Sequence, residues 1–361
     1  MGLEFARRGH EVFWIESRYL RWLIDRPRDF FRARAERPAR GIEVQPITLI
    51  NGERLSFIRN SNKNRLASRF NSAIRNPQSA IVLWLYNPHE GHLAESVRHD
   101  LLVYDIMDEY AGFPWSPPRI VEEEADLLAR ADWVFAGTGA LYDSKKDKAP
   151  GKIECLLSGV DVAHFAAPES GFVVPPSGGD PEFKALREKY KHVAGYAGMI
   201  DLRLDQALVA EAARALPEWG FVFIGPVVEN VDALRGVPNV HFIGARPYGS
   251  LPSYYHAFDA ALLPFVENPL TRHINPTKML EYAAAGVPIV ARALPEIERF
   301  YADGAWLYNS NEDFIRILRS LEPPSPDSRK LAAAQAWVAD RSWDAIAQKM
   351  LDRVEGLISR D

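Results

Sequence analysis

The fold is decided by the stretch Asn275-Pro-Thr-Lys-Met-Leu-Glu-Tyr-Ala-Ala-Ala-Gly-Val-Pro-Ile-Val-Ala291, in which a polar helix start leads directly into an apolar strand. Pro276 suits the first turn of a helix, and Gly286 suits its C-terminal cap. The apolar run that opens at Pro288 is typical of a short parallel strand. The stretch therefore predicts a helix and strand of an α/β domain, with charged groups at the helix start available to a phosphorylated ligand.

Two charged residues lie on one face of this helix, because Lys278 and Glu281 are three positions apart. The whole block resembles the donor-binding motif of GT-B glycosyltransferases of the family-4-like group. That resemblance implies that Lys278 faces the pyrophosphate and Glu281 the ribose of a nucleotide sugar. The alternative interpretation is a surface helix with an ordinary salt bridge.

Apolar runs typical of strands alternate with helical patterns along the chain. They are Glu11–Ile15, Ile42–Ile50, Ala80–Tyr86, Leu101–Ile106, Trp133–Ala136, Ile153–Leu157, Val193–Ala197, Gly220–Ile224, Val240–Ile243, Ala260–Leu263, Pro288–Ala291 and Ala305–Tyr308. This rhythm predicts parallel sheets with helices between the strands. A chain of 361 residues exceeds the size at which one core usually suffices. We therefore expect an α/β fold with two Rossmann-like doubly wound domains, which the resemblance implies face each other across a cleft.

The domain boundaries are predicted from composition. Residues 1–165 are expected to form the acceptor-side domain, and residues 166–190 a linker, because 166–180 is rich in Pro and Gly. Residues 191–325 are expected to bind the nucleotide sugar. The resemblance implies that the helices of residues 326–361 pack back on the first domain.

Two further segments resemble the family in architecture and are not predicted to take part in the reaction. Gly2–His10 resembles the first helix of these transferases, while the strand that precedes this helix in the family has no counterpart in the sequence. We expect the first strand of the N-terminal domain to be missing, either because the natural start lies upstream or because the edge of the domain is rearranged. Leu157–Phe165 resembles the segment with which many GT-B transferases leave their N-terminal domain.

Composition limits the setting in which the protein acts. A net charge of −5 argues against a surface that binds nucleic acid in general. Cys155 is the only cysteine, so an intrachain disulfide is excluded and a reducing compartment is favoured. No apolar run approaches the roughly 20 residues that cross a bilayer, and we expect a cytoplasmic protein. The aromatic and basic segment Tyr19–Arg34 is interpreted as a lid or loop, with peripheral membrane contact as the alternative.

Three carboxylates follow a predicted strand, namely Asp105, Asp108 and Glu109. Ligands of open α/β sheets gather at the carboxyl ends of strands, and a carboxylate held there can take the proton of an attacking sugar hydroxyl. The cluster resembles the strand end of xanthan-type and teichuronic-acid-type transferases, which implies that Asp108 is the base. Asp105 and Glu109 are then acceptor-side residues. The alternative is an acidic turn that caps and forms salt bridges.

Two histidines, His89 and His92, are three positions apart and invite a metal interpretation. No further cluster of His or Cys completes a site in the sequence, so we predict no metal. Contact with the acceptor and a structural polar role remain the alternatives.

Further donor-side residues are predicted in three loops. They are Gly198, Met199 and Arg203 after one strand, Arg246 and Tyr248 after another, and Thr271, Arg272 and His273 before the helix of Lys278. Backbone N–H groups at a helix start attract phosphate, and clustered cations and hydroxyls can hold a diphosphate. The resemblance implies that Gly198 and Met199 lie against the donor pyrophosphate or at the mouth of the cleft. It also implies that the loop of Arg246 and Tyr248 faces the nucleobase, and we expect these two side chains to contact the base or a phosphate. Nearby, Tyr254, Tyr255 and Phe258 are at helical spacing and are predicted to be core.

One departure from the family bears on mechanism. Where the commonest retaining enzymes carry a Glu eight residues before the residue equivalent to Glu281, this chain has His273, for which a structural loop histidine is the alternative interpretation. The departure favours inversion assisted by Asp108 over retention.

Together these residues predict a glycosyltransferase that moves a sugar from a nucleotide-diphosphate sugar, expected to be linked to UDP. The acceptor is expected to be a hydroxyl of a sugar or lipid-linked sugar in bacterial surface polysaccharide synthesis, and no cofactor is predicted. The alternatives are a nucleotide-sugar epimerase of the same architecture and an inactive protein that binds sugar nucleotides.

Overall fold

The computed structural model describes Phe5 and residues 80–112, 116–166, 180–268, 271–321 and 328–359. The chain divides into two compact units, Met1–Ser158 together with Trp343–Asp361, and Gly159–Ser342. The segments Gly2–His10, Glu11–Ile15, Tyr19–Arg34 and Ile42–Ile50, and with them the expected missing strand, lie outside the described residues, apart from Phe5. Within the described ranges, no helix is long and apolar enough to cross a membrane.

The first unit contains a parallel sheet of four strands in the order β1-β2-β3-β4. The strands are β1 (Val82–Leu85), β2 (Leu101–Ile106), β3 (Trp133–Ala136) and β4 (Ile153–Cys155). Its helices are α1 (Ile120–Arg130), α2 (Gly139–Lys145) and α12 (Trp343–Ile358), with shorter 3₁₀ turns at Pro88–Glu95, Tyr110–Gly112 and Lys146–Lys148. Every residue of β2 is buried, as expected of an inner parallel strand with both faces covered.

The two faces of this sheet have separate cores. Leu102 and Tyr104 of β2 pack with Leu127 of α1 on one face. On the other face, Val103 packs with Met350 of α12, so the last helix of the chain completes the first unit.

The second unit contains a parallel sheet of six strands in the order β10-β9-β8-β5-β6-β7. The strands are β5 (His192–Ala197), β6 (Trp219–Ile224), β7 (Val240–Gly244), β8 (Ala260–Leu263), β9 (Ile289–Arg292) and β10 (Trp306–Tyr308). Its helices are α3 (Val162–Phe165), α4 (Pro181–Lys189), α5 (Gln206–Ala215), α6 (Asp232–Arg235), α7 (Leu251–Tyr255), α8 (Thr277–Ala285), α9 (Pro295–Tyr301), α10 (Asn311–Ser320) and α11 (Ser328–Val338). The 3₁₀ turns are Tyr248–Ser250 and Thr271–His273. Read from β5 in chain order, this is the doubly wound order 3-2-1-4-5-6 of dinucleotide-binding domains.

The helix and strand predicted from the opening stretch are confirmed. Helix α8 begins at Thr277, with Pro276 at the N-cap, one position earlier than expected. Gly286 ends the helix in the left-handed conformation, with φ of 71°, which glycine adopts without strain. Strand β9 then begins at Ile289.

The division into units differs from the predicted domain organisation in three places. The structure divides the chain after Ser158, so helix α3 lies in the second unit. Of the predicted linker 166–190, residues 181–189 form helix α4, which begins at an Asp180 side-chain cap. Of the two terminal helices, α12 belongs to the first unit, while α11 belongs to the second, where it packs on α8.

Candidate functional site

The sheet of the second unit reverses its strand order between β5 and β8, and ligands of such sheets bind at the carboxyl ends of the strands there. The loop after β5 is held tightly, because Gly198 donates its N–H to the Ile224 carbonyl at 2.8 Å. A Cβ on Gly198 would lie 2.7 Å from Tyr196 Oη, and one on Gly225 would lie 1.8 Å from the Gly198 carbonyl oxygen. Gly225 therefore requires glycine, whereas a side chain at Gly198 would require the Tyr196 hydroxyl to move.

The same loop is also fastened to the loop after β8. The Val266 N–H donates to the Arg203 carbonyl at 2.8 Å, and the Asp201 carboxylate binds the Arg203 guanidinium through contacts as short as 2.7 Å. The guanidinium also lies over the Phe265 ring, 5.7 Å from its centroid. The Met199 carbonyl accepts from Tyr196 Oη at 3.0 Å. The predicted donor-side residues of this loop thus lie at the switch point, where Arg203 is ion-paired.

Helix α8 brings its two predicted residues together at one oxygen atom. Lys278 Nζ donates to Glu281 Oε2 at 2.7 Å, and Tyr255 Oη donates to the same oxygen at 2.9 Å. Glu281 is only 7% exposed, so these donors are needed to compensate a buried carboxylate. Both of its hydrogen bonds to described residues use Oε2, which leaves Oε1 to accept from a ligand hydroxyl.

The next residue fixes α8 against the end of β5. Tyr282 Oη accepts the N–H of Ala197, the last residue of β5, at 3.0 Å. The charged pair is therefore held close to the carboxyl end of the strand at the switch point.

The start of α8 offers a second kind of donor. Pro276 provides no side-chain cap, so the first N–H groups of the helix are not satisfied by a capping side chain. Exposed N–H groups and the positive end of the helix dipole attract phosphate. Lys278 lies in this first turn, and its side chain is 23% exposed. The arrangement can hold an anionic diphosphate beside a group that accepts from a ribose hydroxyl.

An exposed aromatic residue lies near this carboxylate. Tyr248 is 53% exposed, and its ring stacks on that of His164 with centroids 4.7 Å apart and an interplanar angle of 12°. Burial raises the pKa of the Tyr248 hydroxyl to about 12, with a further contribution from the negative charge of Glu281.

Arg246, predicted as a base or phosphate contact, is bonded to the start of α4. Its guanidinium binds Asp180 at 2.7 Å and Glu182 at 3.1 Å. Tyr254 Oη donates to the same Asp180 oxygen at 2.7 Å. Through these contacts Arg246 links the loop after β7 to the start of α4.

The loop before α8 uses its predicted residues in different ways. Thr271 is fully buried, and its hydroxyl donates to the Val266 carbonyl at 2.6 Å, so it stabilises the loop from inside. Arg272 is exposed and pairs with Glu267 at 3.0 Å, and His273 is exposed beside it.

In the first unit, the predicted base Asp108 is exposed just beyond the carboxyl end of β2. Its neighbour Asp105 has a different environment, because it is 2% exposed and accepts one hydrogen bond, from Trp84 Nε1 at 3.2 Å. Burial raises the pKa of Asp105 to about 7, and the hydrogen bond from Trp84 partly opposes this rise. Of the two, Asp108 is the carboxylate that an acceptor can reach.

Glu109, predicted on the acceptor side, belongs to a buried ion network. Lys145 Nζ donates to Glu109 at 3.0 Å and to Glu124 at 2.6 Å. Tyr104 Oη donates to the other oxygen of Glu124 at 3.0 Å. The pKa of Lys145 is raised despite the opposing effect of burial, because two carboxylates accept its hydrogen bonds. The network fixes α1 and α2 to β2 and to the turn that follows it.

The two predicted histidines lie on the 3₁₀ helix Pro88–Glu95. His89 Nδ1 is 2.9 Å from Glu123, which also pairs with Arg119. His92 Nδ1 lies 2.9 Å from the His89 carbonyl. Across the described ranges, no group of three or more His, Cys, Asp or Glu side chains is arranged to hold a metal.

Sequence reasoning missed two residues of this region. The complete burial of Tyr255 confirms the prediction that it is core, but its hydroxyl also donates to Glu281. His164 lies in the segment interpreted as architectural. A signal was present for Tyr255, since a buried Tyr hydroxyl generally needs a polar partner.

Two sequence matches connect the chain with glycosyltransferases. Residues 203–352 match the model of the glycosyl transferase-like family. The chain is 25% identical over 280 residues to a protein of Bacillus subtilis (strain 168) that is assigned to teichuronic acid biosynthesis as the glycosyltransferase TuaH. That alignment covers 71% of this chain and 68% of the relative.

Solved structures share the fold at low sequence identity. HepE from Anabaena in complex with UDP matches with a TM-score of 0.65 and 15% identity, over 81% of this chain and 83% of that chain. Sucrose-phosphate synthase from Thermosynechococcus elongatus matches with a TM-score of 0.60 and 15% identity, over 87% of this chain and 83% of that chain. The predicted fold and enzyme class are confirmed, and the chain is a glycosyltransferase of the GT-B fold.

Proposed function

We propose that this enzyme transfers a sugar from a UDP-sugar to an acceptor hydroxyl during synthesis of a bacterial surface polysaccharide. The observation behind this proposal is the buried carboxylate of Glu281 at the switch point of the sheet. Its Oε2 accepts hydrogen bonds from Lys278 and Tyr255, while its Oε1 accepts none from the described residues. The relative from Bacillus subtilis supports the polysaccharide setting. HepE, whose structures hold UDP and UDP-glucose, supports the choice of nucleotide.

In this proposal the donor is held by groups of the second unit. Glu281 Oε1 accepts from a ribose hydroxyl, while Lys278 and the uncapped N–H groups of α8 contact the diphosphate. Fixed cations and N–H groups stabilise the negative charge that develops on a leaving nucleoside diphosphate. These groups can offset that charge without a metal ion, and we assign no cofactor to the reaction.

Asp108 is proposed as the base that takes the proton of the acceptor hydroxyl, with inversion at the anomeric carbon. Its exposure after β2 supports this role over Asp105, whose buried carboxylate has a raised pKa. The acceptor is a sugar or a lipid-linked sugar. We place the reaction in the cytoplasm, with peripheral contact at the inner membrane face where a lipid-linked acceptor would be met.

The donor assignment is tested by the thermal stability of the full chain with nucleoside diphosphates. We expect UDP to stabilise the protein by about 2.7 kcal/mol at a concentration 100 times its dissociation constant, and ADP to stabilise it less. An absence of any shift with UDP, ADP or GDP would remove the donor site.

Product analysis with a labelled UDP-sugar separates this function from its alternatives. Transfer to an acceptor supports the proposal, an epimerised donor indicates an epimerase, and binding without product indicates an inactive binding protein. Asp108→Asn should leave UDP affinity near normal, while transfer falls by roughly 10²–10⁴, the usual contribution of a positioned general base. Near-normal transfer by this variant would eliminate Asp108 as the base.

A further inference from the structure

The turn that follows β2 is tied to a buried lysine of the first unit. Glu109 Oε1 accepts a hydrogen bond from Lys145 Nζ at 3.0 Å. The side chain of Lys145 is 6% exposed, and that of Glu109 is 26% exposed. Asp108 directly precedes Glu109, and the Cα atoms of consecutive residues are only about 3.8 Å apart. A displacement of the Glu109 backbone therefore also displaces Asp108.

The charge of Lys145 does not require this second carboxylate. Lys145 already pairs with Glu124 at 2.6 Å, and a pair of one lysine and one glutamate is neutral. Glu109 adds a negative charge beside the pair, and the partial burial of an extra charge carries a cost in desolvation. A role for Glu109 in fixing the turn accounts for its presence, whereas neutralisation of Lys145 does not.

Lys145 is held in place by residues other than Glu109. It is the last residue of α2, and its partner Glu124 belongs to α1. Glu124 also accepts a hydrogen bond from Tyr104 Oη of β2 at 3.0 Å. The series of hydrogen bonds therefore starts in β2 and ends at the turn that follows the same strand. Loss of the Glu109 carboxylate would leave Tyr104, Glu124 and Lys145 bonded to one another.

Two further hydrogen bonds of the turn are local. The Gly112 N–H donates to the Glu109 carbonyl at 2.9 Å, and Ser116 Oγ donates to the Tyr110 carbonyl at 2.5 Å. Both bonds join residues within the segment 109–116, so they move with that segment. The bond to Lys145 differs, because it connects the segment to a helix 36 positions later in the chain.

We infer that Glu109, held by Lys145, is a positioning residue that fixes the turn so that Asp108 can reach the acceptor hydroxyl. The inference rests on the proposed function, because it takes Asp108 as the base. A base must lie within roughly 2.6–3.2 Å of the oxygen whose proton it takes. A misplacement of about 1 Å can lower a rate by roughly 10²-fold. Glu109 acts through Asp108 and contacts no reacting atom itself.

The kinetic test uses the full chain, with labelled UDP-glucose as the donor probe and octyl glucoside as the acceptor probe. We expect Glu109→Ala to lower kcat by about 10- to 100-fold, while the UDP affinity measured by calorimetry stays near normal. Glu109→Gln should regain most of the rate, because its amide oxygen can still accept from Lys145. In the Asp108→Asn background, Glu109→Ala should cause no further loss, since a residue that acts through the base is not additive with it.

The matched control is Glu154→Ala. Glu154 lies in the same unit, its side chain is 30% exposed, and it pairs with the distant Arg353 at 2.9 Å. This variant should leave kcat unchanged.

Hydrogen exchange measures the turn without a donor or an acceptor. The backbone N–H groups of residues 107–112 should exchange about 10-fold faster in Glu109→Ala than in the unmodified protein or in Glu154→Ala, the scale of a lost hydrogen bond to a charged group. Unchanged exchange in this segment would overturn the positioning role, and it would do so even if the probes are not turned over.

The outcomes separate the positioning role from the proposed function. If Asp108→Asn transfers sugar at the normal rate, the base of the proposed function is wrong and the positioning role fails with it. If Asp108→Asn loses transfer but Glu109→Ala keeps a normal kcat, only the positioning role is overturned. It is also overturned if Glu109→Ala lowers the rate by the same factor in the Asp108→Asn background, or no more than Glu154→Ala does. Melting temperatures show that each variant is folded.

Discussion

Each unit contains a buried glutamate held by a lysine and a tyrosine, but the two sites differ in how the carboxylate is used. In the first unit, Tyr104 and Lys145 bind different oxygens of Glu124, so both are occupied. In the second unit, Tyr255 and Lys278 bind the same oxygen of Glu281. We call these the closed triad (Tyr104, Glu124, Lys145) and the open triad (Tyr255, Glu281, Lys278).

The lysines show the same contrast. The side chain of Lys145 is 6% exposed and has a second carboxylate partner, Glu109, whereas that of Lys278 is 23% exposed. A buried pair that is fully hydrogen-bonded fixes neighbouring elements, while a pair with an unoccupied acceptor can bind a ligand. The same three residue types therefore serve stability in one unit and, in our proposal, recognition in the other.

The largest effect is expected from breaking the closed triad. Lys145→Ala leaves Glu124 buried without its cation, which should lower the free energy of unfolding by about 3–5 kcal/mol. Lys146→Ala is the matched control, since this neighbour is half exposed and pairs with Asp143 at 3.4 Å, so it should cost less than about 1 kcal/mol. Urea denaturation measures both variants. Equal losses would show that the closed triad does not stabilise the unit.

Asp105 extends the comparison, because within the described residues no lysine or arginine forms an ion pair with its buried carboxylate. Its raised pKa, about 7 against 3.8 for an ordinary Asp, means that the folded state binds a proton between these values while the unfolded state does not. Stability should therefore fall as pH rises from about 4 to about 7, in total by on the order of 3–4 kcal/mol.

Asp105→Asn tests this explanation. The variant should remove most of the loss and should be more stable than the unmodified protein at pH 8. Denaturation across this pH range measures both proteins, and an unchanged pH dependence in Asp105→Asn would assign the loss to other groups.

Much of the fold could be predicted, because buried parallel strands form continuous apolar runs between helical patterns. Each of the ten strands in the described ranges overlaps a predicted one. The helix that carries Lys278 and Glu281 could also be predicted, because its initial Pro, its terminal Gly and the strand that follows lie within one short segment of sequence.

The partners of charged residues could not be predicted, because they come from distant parts of the chain. Arg246 binds Asp180, which lies 66 positions earlier, and Glu109 binds Lys145, 36 positions later. Nothing local distinguishes Lys145 from the exposed Lys146. The burial of Glu124 was weakly indicated by the sequence. It follows Ile120 by one helical turn and therefore lies on the buried face of α1.

An intermediate effect is expected from the open triad, and it should appear in binding. Lys278→Ala should weaken UDP affinity by roughly 1.5–3 kcal/mol, the scale of a charged hydrogen bond. Lys184→Ala provides the control, because this lysine of the same unit is 73% exposed and pairs with Glu188 on its own helix. Calorimetric titration of both variants decides the matter. Unchanged affinity in Lys278→Ala would make its pair with Glu281 a structural salt bridge like the one in the closed triad.

The smallest effects, from removing one hydroxyl in each triad, test the difference most directly. Tyr104→Phe and Tyr255→Phe each delete one donor to a buried carboxylate while keeping the ring, and each should lower stability by about 0.5–1.5 kcal/mol. Only Tyr255→Phe should also weaken UDP binding, by several-fold, because Glu281 then relies on Lys278 alone to orient its ligand-facing oxygen. Denaturation and calorimetry on the same preparations measure both quantities. If Tyr104→Phe weakens UDP binding as much as Tyr255→Phe does, the two triads do not have separate tasks, and the open oxygen of Glu281 is not what distinguishes them.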